Sequence, residues 1–194
     1  MSNITKIQSY IKESLPTYQD LALDIHDHPE VSNYEFYSSE VLVKQLKAEG
    51  FEVQYDVAGH RTGFDARYKS EKIGPTLVFL AEYDALPGIG HACGHNLFGT
   101  TSVLAASALK QVVDEIGGEI RVYGTPGEEG ERMGQPKEVL SEKAFLKMWM
   151  PHYVSILHIN TVKQRRLLPM IQWILNFSDE LLMLQLLLKK ESMP

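Results

Sequence analysis

Cysteine is nearly absent: Cys93 is the only one in 194 residues, so no disulfide framework can staple the chain internally. That scarcity fits a reducing cytoplasm, the compartment expected here. Basic runs are missing too. With 19 Lys and Arg against 25 Asp and Glu, the formal net charge is -6, which leaves no basic patch for a nucleic-acid partner. The opening stretch "MSNITKIQSYIKESLPTYQDLALDIHDHPE" has no basic segment followed by an apolar run. It therefore reads as a first helix and not as a secretory signal. What is present is an ordinary globular composition, 44% hydrophobic and 23% charged, with enough chain to bury a core in one or two domains.

Ile4, Ile7, Ile11, Leu15, Tyr18, Leu21 and Ile25 recur at helical spacing, and His28-Pro29 ends the pattern. A second amphipathic helix is predicted over residues 38–48, carried by Val41, Leu42 and Leu46 and stopped near Gly50. The segments "FEVQYDV" and "TGFDARYK" alternate like strands, while the apolar "TLVFLAEYD" reads as a buried strand. A small-residue helix, "NLFGTTSVLAASALKQVVDEI", follows with Asn96 as its expected N-cap, and "EIRVYGTP" is a further buried strand. Strands alternating with helices predict an α/β sheet, whose chemistry sits at the carboxyl ends of strands.

Two polar clusters fall at such ends. In "GIGHACGHN", Cys93 stands between His91 and His95. Thiolate and imidazole are the ligands zinc prefers, yet spacing alone leaves Cys93 as ligand, nucleophile or buried filler. "LAEYDALPG" before it carries Glu82 and Asp84, and "GTPGEEG" after it carries Glu128 and Glu129. Adjacent carboxylates repel, so a loop that keeps both is either a solvated turn or the wall of a cation site. A metal hydrolase needs ligands, a group that orients a ligand, and a carboxylate base. Cys93, His95 and one Glu suffice as ligands, with Asp84 as orienter and the other Glu as base.

"FLAEYDALPGIGHACGHN" followed by "YGTPGEEG", with the earlier "HDHPEVSNYE", closely resembles the aminoacylase-like zinc metallopeptidases, peptidase family M-twenty. Within that family the form "EYDALPGIGHACGHN" leans toward the amidohydrolase, dipeptidase and aminobenzoyl-glutamate hydrolase branch. The resemblance runs in order over residues 7–143. It implies an α/β fold, the N-terminal part of a zinc-exopeptidase-type three-layer αβα catalytic domain, with the lid domain and C-terminal half missing. It also implies metal-dependent hydrolysis of the amide bond of N-acyl amino acids or dipeptides, with two divalent ions, zinc or manganese. Carried over, it makes Cys93, His95 and Glu129 metal ligands, Glu128 the general base and Asp84 the carboxylate beside them. Glu82 stands where other branches carry a ligand histidine. His91 is expected to make structural hydrogen bonds, and His26 and His28 to close a helix. Intact relatives are expected to be homodimers acting on small substrates, with no nucleic-acid or membrane partner.

After Lys143 the resemblance stops, and the tail "AFLKMWMPHYVSILHINTVKQRRLLPMIQWILNFSDELLMLQLLLKKESMP" fits none of the elements the family continues with. Loss of one nucleotide near the Glu142 and Lys143 codons explains it. Reading each original codon across two present ones forces Val from Met148-Trp149, Asp from Trp149-Met150, Ala from Met150-Pro151 and Leu from His152-Tyr153. Synonymous choices elsewhere permit "GFFEDVDAALCIHP" and a later "TAHAA", which are family motifs in the family's order. Residues 1–143 are thus expected to be a partial catalytic domain and residues 144–194 a frameshifted tail without evolved fold, in which His152 and His158 are accidental. An inactive form is the expectation. A membrane span in the tail is disfavoured by Asp179 and Glu180 near its middle. The alternative from another functional class is a non-catalytic module that pairs with an intact relative.

Overall fold

A computed structural model of the chain describes residues 2–57 and 59–129. The tail expected to be frameshifted, with His152 and His158, lies outside the described residues. The described elements are α1 (Asn3–Asp27), α2 (Phe36–Ala48), β1 (Glu52–Val57), β2 (His60–Lys69), β3 (Thr76–Ala81), α3 (His95–Ile116) and β4 (Glu119–Gly124).

The strands form one mixed sheet in the order β1-β2-β4-β3. β1 and β2 are antiparallel, as are β2 and β4, whereas β3 and β4 run parallel, joined through α3. Parallel pairing needs such a crossover, and it brings the carboxyl ends of β3 and β4 to the same side of the sheet. The register Ala81↔Gly124 sets those ends level, and the Thr125 N–H donates to the Ala81 carbonyl at 2.8 Å. β3 is half-buried along most of its length, unlike the buried strand its apolar run predicts, because it closes the strand order among the described residues.

Alternation along β2 and β4 turns Phe64, Ala66, Ile120 and Val122 to the helices, all buried to within 1%. The register places Asp65 opposite Tyr123 and Arg67 opposite Arg121 on the other face, where Arg121 reaches Asp65 at 3.4 Å and Glu119 at 2.5 Å. α3 packs on β3 and β4 and α2 on β1 and β2, while α1 packs against α3 and α2. Their contacts are polar as well as apolar: the buried Tyr18 hydroxyl of α1 donates to Ser107 of α3 at 3.0 Å.

α3 begins two residues earlier than an Asn96 cap predicts, at His95, with Gly94 in a left-handed conformation at the N-cap. Asn96 is therefore not the cap. It is buried inside the first turn, where its amide donates to the Ala22 carbonyl of α1 at 3.0 Å. A tertiary partner outcompeted the local one. At α1 the expected end holds: His28 is the C-cap, and its Nδ1 lies 2.8 Å from the Asp24 carbonyl. No helix among the described residues is long and apolar enough to cross a membrane.

The approach of α3 to the sheet depends on a missing side chain. A Cβ built on Gly99 would stand 2.6 Å from the Glu82 carbonyl oxygen. Inside a helix, glycine to alanine normally stabilises by about 0.5–1 kcal/mol. At this position the sign reverses. Gly99→Ala is expected to destabilise the protein by about 1–3 kcal/mol through overpacking, read as a lower urea midpoint at unchanged m-value.

Candidate metal centre

Three chain segments converge at the carboxyl ends of β3 and β4. Glu82 and Asp84 follow β3 directly, Glu128 and Glu129 lie five residues or fewer past β4, and His95 opens α3. The packing of α3 on β3 and β4 sets the histidine between the two acidic segments.

Asp84 is fully buried, and its two oxygens are used differently. Oδ1 lies 2.7 Å from His95 Nδ1, while Oδ2 accepts the Glu129 backbone N–H at 2.8 Å and the Ser32 hydroxyl at 3.0 Å. A carboxylate against Nδ1 selects the tautomer with its proton there and leaves Nε2 as the free donor atom. That nitrogen faces acids: Glu82 Oε2 at 3.4 Å, Glu128 Oε2 at 3.7 Å and Glu129 Oε1 at 4.0 Å.

The electrostatics follow from this crowding. Burial works to raise the Asp84 pKa, but the hydrogen bonds from His95, Glu129 and Ser32 outweigh it and hold the carboxyl below its ordinary value. Burial likewise works to lower His95, yet the bond to Asp84 and the charges of Asp84, Glu82 and Glu128 raise it. Glu82 is pushed up, first by burial and then by Glu128, Asp84 and Glu129, with His95 opposing. The site thus concentrates negative charge around one imidazole nitrogen. One ligand atom each from His95, Glu128 and Glu129 lies within 4.8 Å of the others, a nitrogen and carboxylate donor set that suits zinc or manganese.

Of the residues singled out in the sequence, Asp84, His95, Glu128 and Glu129 are brought together, and Glu82 joins them. Cys93 is exposed, two residues before His95, and is not part of that three-residue cluster. The structural contact expected of His91 is with the end of α1. The side chain is buried beside the Ile25 carbonyl, but neither ring nitrogen has a partner of normal geometry among the described residues. Burial first, then the neighbouring His26 and His95, pulls its pKa down to about 4. Its ring stands 6.4 Å from that of His26, which is exposed at the end of α1.

Sequence reasoning missed Ser32 and Glu30. Ser32 bonds Asp84 directly, and the Glu30 carboxylate accepts from the Tyr37 and Ser38 backbone N–H groups, capping the start of α2. Both lie in "HDHPEVSNYE", a motif whose acids and hydroxyls were the available signal.

No protein-family model matches the chain. Individual relatives do. It is 38% identical to one of the subunits of the p-aminobenzoyl-glutamate hydrolase of Escherichia coli, over 64% of this chain and 29% of that protein. It is 33% identical to the Bacillus subtilis N-acetyl-L-cysteine deacetylase over 54% of this chain and 28% of the relative. The human Xaa-Arg dipeptidase is also 33% identical, over 61% and 31% respectively. The chain therefore spans about a third of the length of these relatives. Among solved structures, a Bacillus subtilis dinuclear metal-binding peptidase of the M-twenty family superposes with a TM-score of 0.51 at 26% identity, over 63% of this chain and 36% of the other. A Staphylococcus aureus protein provisionally designated an aminohydrolase gives a TM-score of 0.58 at 27% identity, over 66% and 36%. By sequence and by fold, the chain is a homologue of the M-twenty amidohydrolases and peptidases and matches the amino-terminal part of their catalytic domain.

Proposed function

We propose that residues 1–143 carry the amino-terminal part of a metal-dependent amidohydrolase site that cleaves the amide bond of N-acyl amino acids or dipeptides. The observation that carries this reading is the convergence of Glu82, Glu128 and Glu129 on His95 Nε2, with Asp84 gripping the opposite nitrogen. His95 and Glu129 are the ligands, both almost fully buried. Cys93 is a third, on the strength of the family resemblance and its place two residues before His95. Divalent ions bound there supply a Lewis acid and lower the pKa of a water.

The protein's own groups do the rest. Asp84 holds the His95 tautomer and, through the Glu129 N–H, the backbone of the acidic turn. Glu128 is the most exposed carboxylate of the set, at 42% side-chain exposure, so it can meet both a water and a substrate. It takes a proton from the attacking water and delivers it to the leaving amide nitrogen. The substrate class follows the relatives, which include an aminobenzoyl-glutamate hydrolase, a deacetylase and a dipeptidase. A change of reading frame after Lys143 replaces the segment that bears the family's next ligand histidine, so the form with this sequence is inactive or nearly so.

Metal binding is the direct test. Titration of the chain with cobalt(II), followed by calorimetry and visible absorption, is expected to show saturable binding that His95→Ala abolishes. Asp84→Asn should weaken it by about 10- to 100-fold, the usual cost of losing a partner that orients a ligand. Cys93→Ser should remove a near-ultraviolet thiolate-to-cobalt band; a spectrum unchanged by that substitution would take Cys93 out of the ligand set.

The frame change has its own measurement. Sequencing the encoding DNA from independent templates through the Glu142 and Lys143 codons should reveal an A-rich run, with the alternative frame open well beyond it. Stops soon after the run would sink the idea. Restoring the frame should yield a hydrolase of N-acyl amino acids or dipeptides whose activity a chelator removes.

A further inference from the structure

A second buried carboxylate stands behind the acidic turn. Glu35, the residue before α2, is 0% exposed, and its hydrogen-bond partners are neutral. Oε1 accepts the backbone N–H groups of Asn33 at 2.7 Å and Gly127 at 2.9 Å, and Oε2 accepts the Thr62 hydroxyl at 3.0 Å. These donors belong to three separate segments: the loop before α2, strand β2, and the turn that leads into Glu128 and Glu129.

Burying a carboxylate among neutral groups is costly, so the contacts that justify it are informative. Joining the loop to β2 alone would need only a hydroxyl or an amide. A carboxylate offers about four acceptor sites in one plane, which lets one side chain hold three donors at once. The donor that calls for this reach is Gly127, 92 positions along the chain from Glu35. Gly127 has φ +79°, and a Cβ there would lie 2.9 Å from Asn33 Nδ2, so the loop carrying Glu35 is seated directly against the turn. Two positions later the Glu129 N–H is held by Asp84 at 2.8 Å. The turn is thus clamped at both ends by buried acceptors, with the Glu128 side chain between them.

We propose that Glu35 is a positioning residue for the candidate metal centre: by accepting the Gly127 N–H it fixes the turn that aims Glu128 and Glu129 at His95. The role is hydrogen-bond acceptance at a set reach and does not require the charge. Its link to metal binding rests on the function proposed above, whereas the clamp itself does not.

The test uses the full chain and two variants. Glu35→Asp withdraws the carboxylate by one methylene, beyond reach of Gly127; Glu35→Gln keeps the length and an acceptor oxygen. Amide hydrogen exchange by NMR is the first readout. In Glu35→Asp the Gly127 and Glu129 amides should exchange at least about tenfold faster while the amides of β2 and β4 keep their protection; in Glu35→Gln all should stay within about threefold of wild type. The response of Glu129 is decisive, because its own acceptor is Asp84.

Unchanged Glu129 protection in Glu35→Asp would overturn the proposal, as would equal loss in both variants. Loss of sheet protection together with that of Glu129 would overturn it too, since Glu35 would then serve the fold as a whole. Cobalt(II) titration is the second readout: Glu35→Asp should weaken binding by about tenfold or more and Glu35→Gln by less than about threefold. A wild-type chain that bound no cobalt would count against the metal reading alone, leaving hydrogen exchange to decide the role of Glu35.

Discussion

The arrangement at the end of the sheet depends on the buried carboxylate of Asp84. Its oxygens receive a ring nitrogen from α3, a backbone N–H from the turn after β4 and a hydroxyl from the loop before α2. Full burial works against its ionisation, but these hydrogen bonds, with the charge of His95, keep its pKa below the ordinary carboxylate value. The same bonds decide which nitrogen of His95 faces the remaining acids. The histidine and the turn are therefore oriented by one group, and disturbing either one loads the other.

Close backbone approach makes that geometry reachable. Parallel β3 and β4 end level, and α3 crosses near enough for Gly99 to leave no room for a Cβ against the Glu82 carbonyl. His95, four residues earlier on that helix, arrives within 3.4 to 4.0 Å of three carboxylates. Burial first, and then the neighbouring acids, raise the Glu82 pKa, while the bond to Asp84 and the surrounding carboxylates raise that of His95 against its own burial. A divalent cation bound there would relieve the same repulsion that protonation relieves.

Much of the fold was legible because it rests on local chemistry. The periodicity of Ile7, Ile11, Tyr18 and Ile25 marks the buried stripe of α1, and His28 ends that helix as the following proline predicts. The strands lie where alternation or apolar runs put them, within a few residues. Asn96 is the instructive failure. Its position before an apolar run fits an N-cap, but a carbonyl on α1 claims its amide, and Gly94 takes the cap through a left-handed φ. The burial of β3 was likewise misjudged, since an apolar run carries no information about which strand closes the sheet.

For the site, residue types and motif order singled out Asp84, His95, Glu128 and Glu129, which the fold gathers, and Cys93, which lies outside the three-residue cluster. Glu30, Ser32 and Glu35 were not singled out. Glu30 caps a helix from 7 positions away, while the Ser32 hydroxyl and the Glu35 carboxylate reach partners 52 and 92 positions along the chain, and no spacing rule links side chains of a loop to such partners. The sequence by itself determined which side chains are available and which segments become helices and strands, since propensity and periodicity act over a few residues. Only the tertiary structure decided which nitrogen of His95 is gripped, which acids share its other side, and which buried carboxylates hold the turn, because hydrogen bonds depend on distances that folding alone creates.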